Sequence, residues 1–197
     1  MTPLAAARLV NVALYQAGWF ACVLGGASGW PWLGAATGLA LVLVHLALVE
    51  RRADEAKFIA LAALAGTAID SAQQAAGSVA FPSGHYAAWL CPVWLTVLWA
   101  QFATLPCHSL AWLAGRPIVS ALLGAAGGPL AFLAGERLGG VTFPVGRAVG
   151  SGVLALVWAA VFPLLVHFAV RSGAFPGRYR WQHTARGPAG GLGKEAV

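Results

Sequence analysis

Within an apolar run at about residues 57 to 79, Thr67, Asp70, Ser71 and Gln74 recur at i, i+3, i+4 and i+7. That spacing sets all four on one face of a helix. A carboxylate at the centre of a membrane helix costs about 2.5 to 3.5 kcal/mol on insertion scales, so Asp70 persists only where partners or a function offset that cost. The chemistry open to it is the handling of a proton or a cation. Asn11, Gln16, His45, Gln101, Ser120 and His167 also interrupt apolar stretches. At a helical rise of about 1.5 Å per residue, Asn11, His45, Gln101, Ser120 and His167 fall in a layer toward one side of a membrane, with Gln16, Asp70 and Gln74 nearer the midplane. Polar groups in hydrocarbon must meet one another or water, which predicts one internal cavity lined by both layers. The simpler reading of the neutral groups is packing through interhelical bonds of about 0.6 kcal/mol each.

The elements that must position these groups follow from composition. Of 197 residues, 59% are hydrophobic and only 9% charged, with a mean hydropathy of +0.75. Soluble domains carry about 25% charged residues, so this is an all-α, polytopic membrane protein. Apolar stretches at 4–23, 32–49, 57–79, 87–105, 117–138 and 148–170 predict a six-helix bundle over residues 1–170. The first is kept as a membrane helix rather than a cleaved signal peptide, because it is long and holds Asn11 and Gln16. The fifth is expected to break at Gly127-Gly128-Pro129, freeing carbonyls near the midplane. Residues 171–197 form a Gly, Pro and Arg tail without periodicity, expected to be disordered and cytoplasmic.

The formal charge of +6 is a topology signal rather than a nucleic-acid one, because the basic residues sit between and after the spans. Arg8, Arg51, Arg52, Lys57, Arg116, Arg171, Arg178, Arg180, Arg186 and Lys194 fall on one side, and Arg137 and Arg147 on the other. Both termini are therefore expected in the cytoplasm. Cys22, Cys91 and Cys107 have no metal spacing, and no His-x-x-x-His or His-x-x-Glu pattern occurs, so neither metal nor cofactor is expected. Buried free thiols are favoured over a Cys22–Cys91 bridge. Gly124 and Gly128 form a GxxxG pair suited to close helix packing. Glu136 and Arg137 read as a solvated pair.

Phe81-Pro82-Ser83-Gly84-His85 matches the middle signature of the type 2 phosphatidic acid phosphatases. Those enzymes also need Lys and Arg upstream to hold phosphate and a second His downstream as nucleophile, and this sequence has neither at the required spacing. A lone histidine cannot stabilise three phosphoryl oxygens, so the segment reads as a turn.

A broader pattern runs from Asn11 through Gln16-Ala-Gly18-Trp19-Phe20 to Gly25. It continues in Asp70, in Pro92-Val-Trp94-Leu95 with Trp99, in His108-Ser109-Leu110-Ala-Trp112, and in Gly127-Gly128-Pro129-Leu130. Over roughly residues 9 to 142 it resembles the bacterial membrane family catalogued as domain of unknown function 2878. The resemblance implies a fold, an inner-membrane location and proximity to fatty-acid-modifying genes, without a known activity. Its polar members here are Asn11, Gln16, Asp70, His108 and Ser109.

The favoured function is therefore the handling or modification of membrane lipid or acyl chains. Asp70 and His108 are the catalytic candidates, although helical rise places them about 15 to 20 Å apart, too far for one reacting atom. Asn11, Gln16, Asp70, Gln74, Gln101 and Ser109 are the cavity-lining candidates. The alternatives are a proton- or cation-coupled carrier with Asp70 at the midplane, and a non-catalytic assembly subunit using the GxxxG face. The expected partners are membrane lipid and, through protein contacts, a second copy or a neighbouring lipid-modifying enzyme.

Overall fold

A computed structural model describes residues 2–184, which form α1 (Pro3–Ala27), α2 (Pro31–Leu48), α3 (Arg52–Ala75), α4 (Val93–Ala103), α5 (Pro117–Arg137), α6 (Arg147–Arg171) and a last turn α7 (Trp181–Thr184). Helix starts are written locally. Pro3, Pro31 and Pro117 open α1, α2 and α5, where a missing N–H costs nothing and a fixed φ is already helical. Thr2 adds a cap, its hydroxyl oxygen accepting from the Ala5 amide at 3.2 Å.

The all-helical expectation holds, but the number of spans does not. Among the described residues four helices, α1, α2, α5 and α6, are long and apolar enough to cross a membrane. α3 has 24 residues, yet Arg52, Asp54, Glu55 and Lys57 near its start and Asp70, Gln73 and Gln74 near its end leave it less apolar than the other long helices. α4 has 11 residues, about 16 Å at the helical rise, half of a hydrocarbon core about 30 Å thick. The expected fourth span is shortened because residues 87–92 stay out of a helix, which begins only after Pro92. The two ends of the irregular segment 76–92 pack inside the protein, while its middle, with Tyr86 and Trp89, is exposed. Phe81 and Cys91 are buried, Ser83 donates its hydroxyl to the Gly26 carbonyl at 2.5 Å, and Ala80 pairs with Thr142.

The expected break in the fifth span is also corrected. α5 runs unbroken through Gly127, Gly128 and Pro129, as α6 does through Pro163. Pro129 is buried, and the turns just before it pack closely on α6. Gly124 and Gly128 press on Trp158 of α6 so closely that a Cβ at either would run into it. The GxxxG face is thus spent within the chain, as an intramolecular packing device. Glu136 pairs with Arg147 across the α5–α6 turn, the guanidinium Nε donating at 2.7 Å, rather than with Arg137.

Two apolar cores fill the bundle. One joins Trp19, Cys22, Trp94, Leu95, Phe132 and Leu154, and the other joins Phe58, Ile59, Trp99, Ala103, Leu165 and Ala169. All three cysteines are buried and free. The chain from Ser172 to Arg180 is not a loose tail but a strap across one end. Val49 pairs with Tyr179, the Glu50 amide donates to Arg178 O and the Arg180 amide to Leu48 O, each at 3.0 Å, and Arg51 donates to Gly173 O. The remainder of the expected tail, 185–197, lies outside the described residues.

Candidate functional site: a histidine–glutamate cluster beneath the strap

Under that strap three segments meet. His45 lies in the last turn of α2 and Glu55 in the first turn of α3. A connection of only three residues, Val49 to Arg51, folds the two turns against each other. His108 comes from the 104–116 loop, tightened by amide bonds from His108 and Leu110 to Leu105 O at 3.0 Å. His45 Nε2 stands 2.6 Å and His108 Nε2 2.8 Å from the same oxygen, Glu55 Oε1. His45 Nδ1 faces the Tyr179 hydroxyl at 3.1 Å. His45 and Glu55 are 1% exposed and Tyr179 is fully buried, so water competes with none of these contacts.

Electrostatics favour an ionised Glu55. Burial opposes its charge, but the hydrogen bonds from His108 and His45, together with their positive potential, outweigh burial and hold the carboxyl below its usual range, at about 2. Its place in the first turn of α3 adds the favourable end of the helix dipole. Burial acts the other way on the Tyr179 phenol, raising it, and the Glu55 charge adds to that rise against a hydrogen bond from Asn11 that lowers it. Tyr179 is therefore a neutral hydroxyl that can donate or accept. The ring planes of His45 and His108 lie edge to face, with centroids 4.9 Å apart, and Tyr179 stacks on Trp181 at 4.4 Å. A buried carboxylate between two imidazoles can hold a shared proton or a cation.

Asn11 braces the cluster from α1. It donates to Thr104 O at 3.2 Å and accepts the Ser109 hydroxyl at 2.7 Å, tying α1 to the loop that carries His108. Of the residues picked from sequence, Asn11, Ser109 and His108 therefore meet in one place. Gln101 donates to Gly38 O between α4 and α2. Gln74 is half-buried and makes a long contact of 3.5 Å to Leu90 O. Gln16 and His167 are exposed on the outer surface of the bundle, and Ser120 bonds back to Arg116 O in its own helix at 3.1 Å. The two expected layers do not share one cavity.

Asp70 has a site of its own. Trp99 Nε1 donates to Oδ2 at 2.6 Å and Gln73 Nε2 to Oδ1 at 2.9 Å. Gln73 is thus its amide partner, while Gln74 turns to the Leu90 carbonyl. Asp70 and Glu55 are fifteen residues apart on α3, about 22 Å along the axis, so Asp70 and His108 cannot act on one atom. Trp99 then stacks on Trp158 with centroids 4.9 Å apart and planes 3° from parallel.

That stacked pair separates two apolar recesses. One, of about 660 Å³, lies between α3 and α6; Phe58, Leu61, Ala65, Gly66 and Leu165 line it, Trp99 forms its floor, and Lys57 and Arg171 stand at its basic-end mouth. The other, of about 300 Å³, lies among α1, α4, α5 and α6, with Trp19, Trp94, Phe132 and Trp158 in its wall. His85 lines neither. Its two ring nitrogens face the Leu90 and Phe81 carbonyls at 3.0 and 3.1 Å, which pins the 81–90 turn.

Glu55 and Tyr179 were not singled out from sequence. Glu55 was hidden in a charged connection and Tyr179 in an expected tail. The available signal was the ten-residue separation of His45 and Glu55 across a turn too short to keep them apart.

A family model described as "Protein of unknown function (DUF2878)" matches residues 8–164. His45, Glu55, Asp70 and His108 lie inside that range and Tyr179 outside it. No curated protein and no solved structure matches this chain.

Proposed function

We propose, from the premise that this chain belongs to the DUF2878 family, that it binds an acyl chain of an anionic membrane lipid in the recess between α3 and α6. One observation carries this reading. The recess is walled by Phe58, Leu61, Ala65, Ile69, Leu164 and Phe168 along its length and ends beside Lys57 and Arg171. An acyl chain needs apolar walls, and an anionic headgroup needs cations where the hydrocarbon stops. Asp54 sits 3.9 Å from Lys57, a partly exposed pair that leaves the mouth net positive. In this reading Asp70 is a positioning residue, holding Trp99 as the floor.

The basic residues argue for the same orientation. Arg8, Arg51, Arg52, Lys57, Arg116, Arg171, Arg178 and Arg180 belong to segments that meet at the strap end, while Arg137 and Arg147 lie at the opposite end. We assign the strap end to the cytoplasm of a bacterial inner membrane. The lipid would then enter sideways from the cytoplasmic leaflet.

Photolabelling tests the reading. A fatty acid and a phosphatidylglycerol, each carrying a diazirine in its acyl chain, are offered to the full chain in vesicles, and labelled peptides are sequenced. Labelling confined to α3 and α6, lost in Ala65→Trp and weakened by Lys57→Glu with Arg171→Glu, supports the proposal. Labelling spread evenly over all lipid-facing helices, or unchanged in Ala65→Trp, overturns it. The two probes separate a free fatty acid from a phospholipid as the source of the chain.

A further inference from the structure

We propose that His45, Glu55 and His108 bind one divalent first-row transition-metal ion of the zinc or ferrous class. The three side chains offer ligand atoms that all lie within 4.8 Å of one another. They come from three separate segments, so the grouping is made by the fold and is invisible as a spacing motif. Both imidazoles direct Nε2 at one carboxylate oxygen, at 2.6 and 2.8 Å. An ion entering there displaces the hydrogens on the two Nε2 atoms and takes two nitrogens and one oxygen as ligands.

The distances fit a small adjustment. Tetrahedral metal–ligand bonds of about 2.0 to 2.1 Å set ligand atoms about 3.3 Å apart, so each contact lengthens by about 0.5 to 0.7 Å. Two neutral imidazoles and one carboxylate are the donor set of catalytic zinc and of non-haem ferrous sites, both of which keep a further position open. The surroundings supply what such ligands need. His45 places Nδ1 against the Tyr179 hydroxyl; with Nδ1 carrying the hydrogen and donating to Tyr179, Nε2 presents its lone pair to the metal. Asn11 and Ser109 hold the His108 loop in place. Burial of all three ligands strengthens the attraction between the ion and the carboxylate.

The strap covers the site. Gly177 lies against the His108 ring so tightly that a Cβ there would collide with it, and its amide donates to Cys107 O at 2.8 Å.

The experiment uses the full, untagged chain in mild detergent, stripped with chelator and dialysed against zinc. Elemental analysis then gives metal per chain. The expected result is about one equivalent in the wild type, lost in His108→Ala and in Glu55→Gln, and kept in His85→Ala and Asp70→Asn. Cobalt(II) provides a second readout that needs no variant, because a tetrahedral nitrogen–oxygen site gives intense visible absorption bands that octahedral surface cobalt lacks. A wild type that binds no stoichiometric zinc and gives no such bands overturns the proposal and leaves a purely hydrogen-bonded cluster. So does full binding in folded His108→Ala, folding being checked by size exclusion and circular dichroism.

Discussion

Asp70 and Trp99 are joined by a 2.6 Å hydrogen bond between a carboxylate and an indole nitrogen that are both almost completely buried, at 1% and 3% exposure. The bond fixes the indole plane and, through the stack on Trp158, the wall between two recesses. Its chemistry predicts an asymmetry between substitutions. Asp70→Asn keeps an oxygen for Trp99, and its new amide can donate to Gln73 Oε1, a buried acceptor without a partner, once the Gln73 amide turns over. Asp70→Leu orphans both donors. We expect Asp70→Asn to cost less than about 1 kcal/mol and Asp70→Leu about 1 to 3 kcal/mol. Reversible unfolding in mixed micelles measures both; equal losses would mean that the negative charge itself is required.

Gly66 makes a second test of the same wall. A Cβ at this position collides with the Trp99 ring, and the ring cannot retreat because Trp158 lies flat behind it. Gly66→Ala should therefore cost about 1 to 3 kcal/mol by overpacking, despite the gain in helix propensity. Gly152, whose Cβ would meet nothing within 4 Å, is the control, and Gly152→Ala should be neutral or slightly stabilising. The pair is compared by the same unfolding assay.

Much of this arrangement was legible in the sequence, and its limits are physical. The apolar composition and the proline-led helix starts identify a helical membrane bundle, because both act within a few residues. Asp70 stands out because a carboxylate in hydrocarbon demands partners. Which partners it finds depends on a helix crossing: Trp99 is 29 positions away. The fourth span is overestimated because hydropathy does not distinguish an apolar helix from an apolar stretch of loop, and residues 87–92 at its expected start are the latter. The His45–Glu55–His108 group was missed for a related reason. Ligand motifs are visible when one element carries them, and here the end of α2, the start of α3 and a loop each give one residue.

The lipid reading makes a cellular prediction. Untargeted lipid profiling of a host lacking the gene should show a changed acyl-lipid species, restored by the wild type. Because Asp70 acts through Trp99, Asp70→Asn should restore the species as well, whereas Trp99→Ala and Ala65→Trp should not. A profile unchanged in the deletion strain would remove the lipid proposal and direct attention to proton-coupled uptake. Restoration by the wild type alone, with Asp70→Asn failing although it folds, would give Asp70 a direct chemical role.

Tyr179 separates a metal site from a merely tight cluster. In a hydrogen-bonded cluster, the hydroxyl on His45 Nδ1 at 3.1 Å is one contact among several, and Tyr179→Phe loses about 1 kcal/mol of stability and nothing else. In a metal site the same hydroxyl fixes the ring orientation and raises the basicity of the ligating nitrogen. Its removal should then weaken zinc binding by about 10- to 100-fold while metal remains measurable at saturation. Trp181, stacked on Tyr179 at 4.4 Å, holds the ring in place in either case, so Tyr179→Phe changes only the hydroxyl. Competition titrations against a chromophoric chelator, run beside thermal unfolding of the chelator-stripped chain, read the two effects separately. A loss of affinity larger than the loss of stability identifies Tyr179 as the outer partner of a metal-bound His45, because no packing role of the ring can produce that difference.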